Sequence, residues 1–133
     1  MTRRILALVC CGVVAAAALA LAAPAAAQCR NGDRAVERKL TLGPAPSETL
    51  VTQRIAACVR HEYRIQLRAG QRLEVTLTTP SGQADMLSIL APSGDRPADG
   101  ENTWSGEVRE SGTYTIEVGT DKATRYTLKV AVR

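Results

Sequence analysis

Phenylalanine is missing from this 133-residue chain, which has one tryptophan, one histidine and three tyrosines. With aromatics at 3% of residues, any interior must be built mainly from Val, Ile, Leu and Ala. The lone histidine, His61, rules out a metal site made of paired histidines and leaves only one candidate imidazole base. Long blocks of one charge are also missing after residue 27. The basic and acidic residues alternate there, as on a mixed solvated surface and unlike a nucleic-acid footprint. No carboxylate cluster with catalytic or ligand spacing stands out. Asp85 sits beside Met86 and Leu87 but reads as a turn or strand-cap residue. Asp95, Asp99 and Glu101 share one polar loop, at most a weak calcium site. The six serines Ser47, Ser81, Ser88, Ser93, Ser105 and Ser111 lie in no nucleophile-elbow pattern. His61, next to Glu62, reads as an exposed polar residue at a strand start. The expectation is therefore a protein that is not an enzyme, with no catalytic residues, no metal and no cofactor.

What is present begins with a compartment signal. Arg3 and Arg4 precede an uncharged apolar run from Ile5 to Leu21, and Ala25-Ala26-Ala27 puts small residues before Gln28. That order is a secretory signal peptide, 1–27, cut after Ala27, with a cut after Ala25 as the minor variant. A retained anchor is the competing reading of 5–27, which is long enough to span a bilayer. Pro24 and the alanine run break it, and no stop-transfer cluster follows, so no stable membrane insertion is expected after cleavage. Lipid attachment does not fit Cys29, which follows Gln28, and Leu8-Val9-Cys10-Cys11 comes closer but has Cys10 as an unusual neighbour and an apolar run that continues past it. Arg3 and Arg4 would leave with the signal, taking 17 basic residues to 15 against 13 acidic ones, net +2. Cys10 and Cys11 would leave too. Cys29 and Cys58 remain as an even pair in an oxidising compartment, the expected disulfide. Residues 28–133 suit a single domain with one core.

The remainder reads as strands and turns, with no helical period. Tyr63, Ile65 and Leu67 alternate with polar residues, as do Leu73, Val75 and Leu77, and Ala69-Gly70-Gln71 joins the two runs as an expected antiparallel hairpin. Met86 to Ala91 is densely apolar, as in a central strand covered on both faces. Arg96 to Asn102 reads as a surface loop. Short strands follow at Trp104 to Val108, Tyr114 to Val118 and Tyr126 to Val132, the last two joined through a hairpin loop carrying Lys122 and Arg125. Before Tyr63, an edge strand within Arg34 to Leu42, running through Leu40 and Leu42, and a strand over Leu50–Ile55 are expected. The sum is all-β: a small antiparallel β-sandwich of about 7–8 strands, jelly-roll-like. Tyr114 and Tyr126 fall in phase with core aliphatics. Trp104 is either a core residue or an exposed binding anchor. Lys122 and Arg125, on a loop held by a rigid scaffold, are the candidate partner-binding residues together with Trp104.

The stretch Y-R-I-Q-L-R-A-G-Q-R-L-E-V-T-L (63–77) resembles the opening strands of bacterial pre-peptidase C-terminal domains, small secreted β-sandwich modules. So do L-S-I-L-A-P-S-G (87–94), W-S-G-E-V-R-E-S-G-T-Y-T-I-E-V-G (104–119) and R-Y-T-L-K-V-A-V (125–132). The same series is similar to the periplasmic inhibitors of g-type lysozyme, which stand alone with a related sandwich. The resemblance covers about Leu50 to Arg133. It implies a periplasmic or secreted binding protein whose partner is a protein, a lysozyme among the candidates, or a cell-envelope glycan. In the inhibitor case, loops at one end would block a glycosidase cleft, with Lys122 and Arg125 meeting its acidic residues. In the other, the domain is an accessory module of the envelope.

Overall fold

A computed structural model describes Cys29 and residues 34–80 and 86–133. The expected signal segment 1–27, the Ser81-Gly82 turn and Asp85 lie outside the described residues. Nine strands are present among them: β1 (Arg34–Arg38), β2 (Ser47–Ile55), β3 (Val59–Leu67), β4 (Arg72–Thr78), β5 (Met86–Leu90), β6 (Ala98–Glu101), β7 (Thr103–Glu107), β8 (Gly112–Thr120) and β9 (Thr124–Val132). They form a five-stranded sheet ordered β1-β3-β8-β5-β6 and a four-stranded sheet ordered β2-β9-β4-β7. The expected all-β sandwich is thus observed. Every pairing is antiparallel except β1 with β3, which is parallel.

The period-2 pattern produces the core directly. Tyr63, Ile65 and Leu67 of β3 and Tyr114, Ile116 and Val118 of β8 project inward from one sheet. Leu73, Val75 and Leu77 of β4 and Tyr126, Leu128, Val130 and Val132 of β9 meet them from the other. Without phenylalanine, the buried rings of Tyr63 and Tyr126 supply the largest enclosed volumes. Tyr114 is also buried, and its hydroxyl donates to the Glu110 carbonyl at 3.0 Å, which ties the turn before β8 to the strand.

Four expectations are corrected. β3 and β4 are not a hairpin, because they lie in opposite sheets. Alternation is the same whether two apolar faces lie side by side or oppose each other across a core. The connecting turn finds its backbone partners outside the two strands: Gly70 N donates to Val108 O at 2.8 Å and Ala69 N to Ser111 Oγ at 2.9 Å. β8 and β9 likewise cross from sheet to sheet, so the loop with Lys122 is not a hairpin loop either. The first edge strand is Arg34–Arg38; Leu40 and Leu42 follow it and pack against the core. Finally, Ala98–Glu101 within the expected surface loop is an edge strand on β5. The register shifts between Leu87↔Glu101 and Ser88↔Asp99, leaving Gly100 (φ 81°) as a bulge residue in a conformation that favours glycine. β5 itself is enclosed as expected, with Leu87, Ser88 and Ile89 all buried.

Cys29 and Cys58 form the expected disulfide, with Cα atoms 5.3 Å apart. Arg34 N donates to Cys58 O at 3.0 Å, so β1 begins its pairing with β3 beside the clasp. Cross-linking residues 29 positions apart stabilises by about 3–4 kcal/mol in the chain-entropy account. Replacing both cysteines with serine is expected to lower the urea-unfolding free energy by about that amount. An unchanged midpoint and slope would show that the clasp holds nothing.

Candidate functional site

At the end of the sandwich near the disulfide, β1, the end of β2 and the start of β9 border an open groove of about 700 Å³. Its lining includes four arginines, Arg34, Arg38, Arg54 and Arg125, above a floor of Val36, Ile55, Val59 and His61. Strand parity explains two of them. On β1 the half-buried Val36 faces the core, so Arg34 and Arg38, two residues either side, share its face. At an edge their aliphatic stems cover apolar surface while the guanidinium groups stay in water. Arg54 and Arg125 project from the outer face of the other sheet, where they are direct cross-strand partners.

Like charges facing each other across an antiparallel pair cost roughly 0.2–1 kcal/mol. This protein elsewhere offsets such a pair. Glu62 and Glu117 also stand opposite each other. Arg60 reaches Glu62 at 2.9 Å and Glu117 at 3.7 Å, and Arg96 reaches Glu117 at 3.0 Å. Among the described residues, Arg34, Arg54 and Arg125 have no such carboxylate partner, and no acidic side chain lines the groove. The groove therefore carries a concentrated positive field that no carboxylate among the described residues is paired to cancel.

Beneath it runs a polar chain through the interior. Arg38 Nη2 lies 3.5 Å from His61 Nε2. A guanidinium only donates, so Nε2 accepts and the imidazole proton sits on Nδ1. Nδ1 then donates to the Tyr126 hydroxyl at 2.7 Å, and Tyr126 is in turn hydrogen-bonded to the Tyr63 hydroxyl. The chain joins β3 to β9 and hence one sheet to the other. Here the reading of His61 as an exposed residue is corrected, for it is 1% exposed. β3 starts at Val59, so His61 shares the inward face of Tyr63, Ile65 and Leu67. That parity was the available signal.

Burial, and then the nearby Arg38 charge, lower the His61 pKa below its usual value. Burial pushes the Tyr126 phenol well above its usual range, reinforced by Tyr63. Tyr63 is raised too, by burial, with its bond to Tyr126 and the Arg38 charge opposing. At neutral pH the chain is uncharged apart from Arg38. It can orient that arginine, but its imidazole is enclosed at the groove floor.

The other sequence candidates lie elsewhere. Lys122 sits on the β8–β9 loop beside the groove without lining it. Its N–H donates to Thr120 Oγ1 at 3.2 Å, and the Thr120 hydroxyl donates to its carbonyl at 2.6 Å. Trp104 is on β7, separated from β9 by β4. It is half-buried against the core and lies over Gly106, where a Cβ would come within 2.5 Å of the indole. It lines a second groove of about 690 Å³ with side chains of both signs, among them Arg96, Glu107 and Arg109. So the structure brings Arg125 together with three arginines the sequence reading did not single out, places Lys122 nearby, and sets Trp104 apart. No group of three or more metal-capable side chains gathers among the described residues.

The unfolded chain carries an ordinary imidazole, near pH 6.5, while the folded one resists protonation. Between the two pKa values the unfolded state binds more protons, so stability is complete above about pH 6.5 and falls as pH drops through it. Urea unfolding should show this decline, and His61→Asn should flatten it while costing about 1–3 kcal/mol. An identical pH slope in the variant would contradict the neutral, buried histidine.

The sequence matches no protein-family model and no curated protein. Solved structures do match the fold. The periplasmic inhibitor of g-type lysozyme from Aeromonas hydrophila superposes with a TM-score of 0.64 at 17% identity, over 77% of this chain and 100% of that one. The corresponding inhibitor from Salmonella Typhimurium gives 0.58 at 16%, over 73% and 97%. A mutant of the Escherichia coli inhibitor gives 0.57 at 14%, over 77% and 99%. At these identities the likeness is one of fold, and it agrees with the sandwich resemblance visible in the sequence.

Proposed function

We propose that this chain is an exported, non-enzymatic binding protein of the lysozyme-inhibitor type, which sets its arginine groove against the acidic cleft of a g-type lysozyme. Glycoside hydrolysis depends on carboxyl groups flanking the scissile bond. A rim of guanidinium groups is suited to such a cleft, because each can form a paired, charge-assisted contact with a carboxylate. The observation that carries the reading is the arginine set without an answering acid among the described residues, on a fold shared with periplasmic inhibitors of g-type lysozyme. Lys122, on the adjoining loop, adds charge at the rim. Export belongs to the same proposal: cleavage after Ala27 would release 28–133 as one domain into the periplasm or medium, an oxidising setting suited to the Cys29–Cys58 bond.

The purified protein is expected to slow the clearing of a bacterial suspension by g-type lysozyme, less effectively as salt rises. Arg34→Glu with Arg125→Glu should weaken inhibition by on the order of tenfold to a hundredfold with an unchanged circular dichroism spectrum. Full clearing in the presence of a large excess of unaltered protein would reject the proposal.

A further inference from the structure

Four strands end the two sheets, and three of them are short: β1 and β7 have five residues and β6 has four. Short edges offer little to a foreign strand. β2 differs. It has nine residues, keeps an unbroken register with β9 and contains no proline. Among the described residues nothing pairs with its open side. Its outer face carries Glu48, Leu50, Thr52 and Arg54, and Leu50 is the exposed large hydrophobic among the described residues, at 63%.

The order of these residues is self-complementary. If β2 meets a second β2 antiparallel, with the two-fold axis at its midpoint Val51, all nine residues of each strand are paired. Glu48 then faces Arg54 of the other copy at both ends, and Leu50 faces Thr52 at both. Glu48 at present holds only the exposed Lys129, at 3.3 Å, and Arg54 faces Arg125 without a carboxylate. The pairing would give Arg54 an acid, which it lacks among the described residues, and cover Leu50. Opposite charges directly across a ladder favour one register over its neighbours.

From this complementarity we infer that β2 is a homodimerisation edge, joining two copies through antiparallel β2–β2 pairing centred on Val51 into one eight-stranded sheet. Such an interface is isologous and closed, so it ends at two copies. Arg34, Arg38 and Arg125 of each copy stay available, so the inference stands independently of the lysozyme reading.

Charge reversal tests it. Sedimentation velocity of the purified protein should give a dimer. Glu48→Arg sets arginine against arginine at both ends, and Arg54→Glu sets glutamate against glutamate. Each is expected to raise the dimer dissociation constant by on the order of tenfold to a hundredfold. An equimolar mixture of the two variants places Arg opposite Glu at both ends and should recover the dimer, an outcome that damaged folding would not produce. A monomeric unaltered protein at the highest attainable concentration would overturn the inference, including when another exported protein then adds its own strand to β2. So would variants that dimerise as tightly as the parent, or a mixture that stays monomeric. Glu48→Arg should retain lysozyme inhibition and Arg34→Glu should retain the dimer, so the two readings fail separately.

Discussion

Arg34 and Arg38 reach the groove because β1 lies parallel against β3, and that pairing begins at a covalent clasp. The Cys29–Cys58 bond and the hydrogen bond from Arg34 N to Cys58 O fix where β1 starts. Five residues of edge strand would hold weakly by hydrogen bonding alone. With the clasp in place, parity does the rest, turning Val36 toward the core and the two arginines toward the opening. The connection is one of sequence to placement: moving β1 by a single residue would send both guanidinium groups to the other face of the sheet.

The interior under the groove carries a second constraint. A sandwich core of aliphatic side chains has no directional preference for how its sheets align. The hydrogen-bonded series from Arg38 through His61 and Tyr126 to Tyr63 crosses between sheets and supplies one. The His61 imidazole and the Tyr126 and Tyr63 hydroxyls are enclosed, so misalignment would leave buried groups unsatisfied, at about 1–3 kcal/mol apiece. The same series anchors one of the groove arginines. The local cost of four neighbouring positive charges is thus met by fixed architecture, while the acidic pair on the opposite sheet is neutralised by Arg60 and Arg96.

Much of the fold was legible as a sequence. Alternation located β2, β3, β4, β8 and β9, a dense apolar run located β5, and the buried phases of Tyr63, Leu73, Ile116 and Leu128 were correct. Strand partners were not legible, because a hairpin and a crossing between sheets leave the same period-2 imprint. That is why 63–67 and 73–77 read as neighbours although the core separates them. The β6 edge was hidden by Pro97 and Gly100, whose turn character here marks a bulge. Of the candidate site, Arg125 and Lys122 were visible as loop charges, although only Lys122 lies on the loop and Arg125 belongs to β9. Arg34, Arg38 and Arg54 were not, since each reads locally as an ordinary solvated charge. They converge only when β1 and β2 are placed at facing edges. His61 was misplaced by starting its strand at Tyr63 instead of Val59.

The central claim is that an acidic protein cleft is met by the arginine groove. Titration of isotope-labelled protein with g-type lysozyme, observed through the arginine Nε–Hε signals, addresses it most directly. The account predicts that Arg34, Arg38 and Arg125 shift together while Arg96 and Arg109, beside Trp104, stay in place. Shifts confined to Arg96 and Arg109, or no shifts at all, would contradict it.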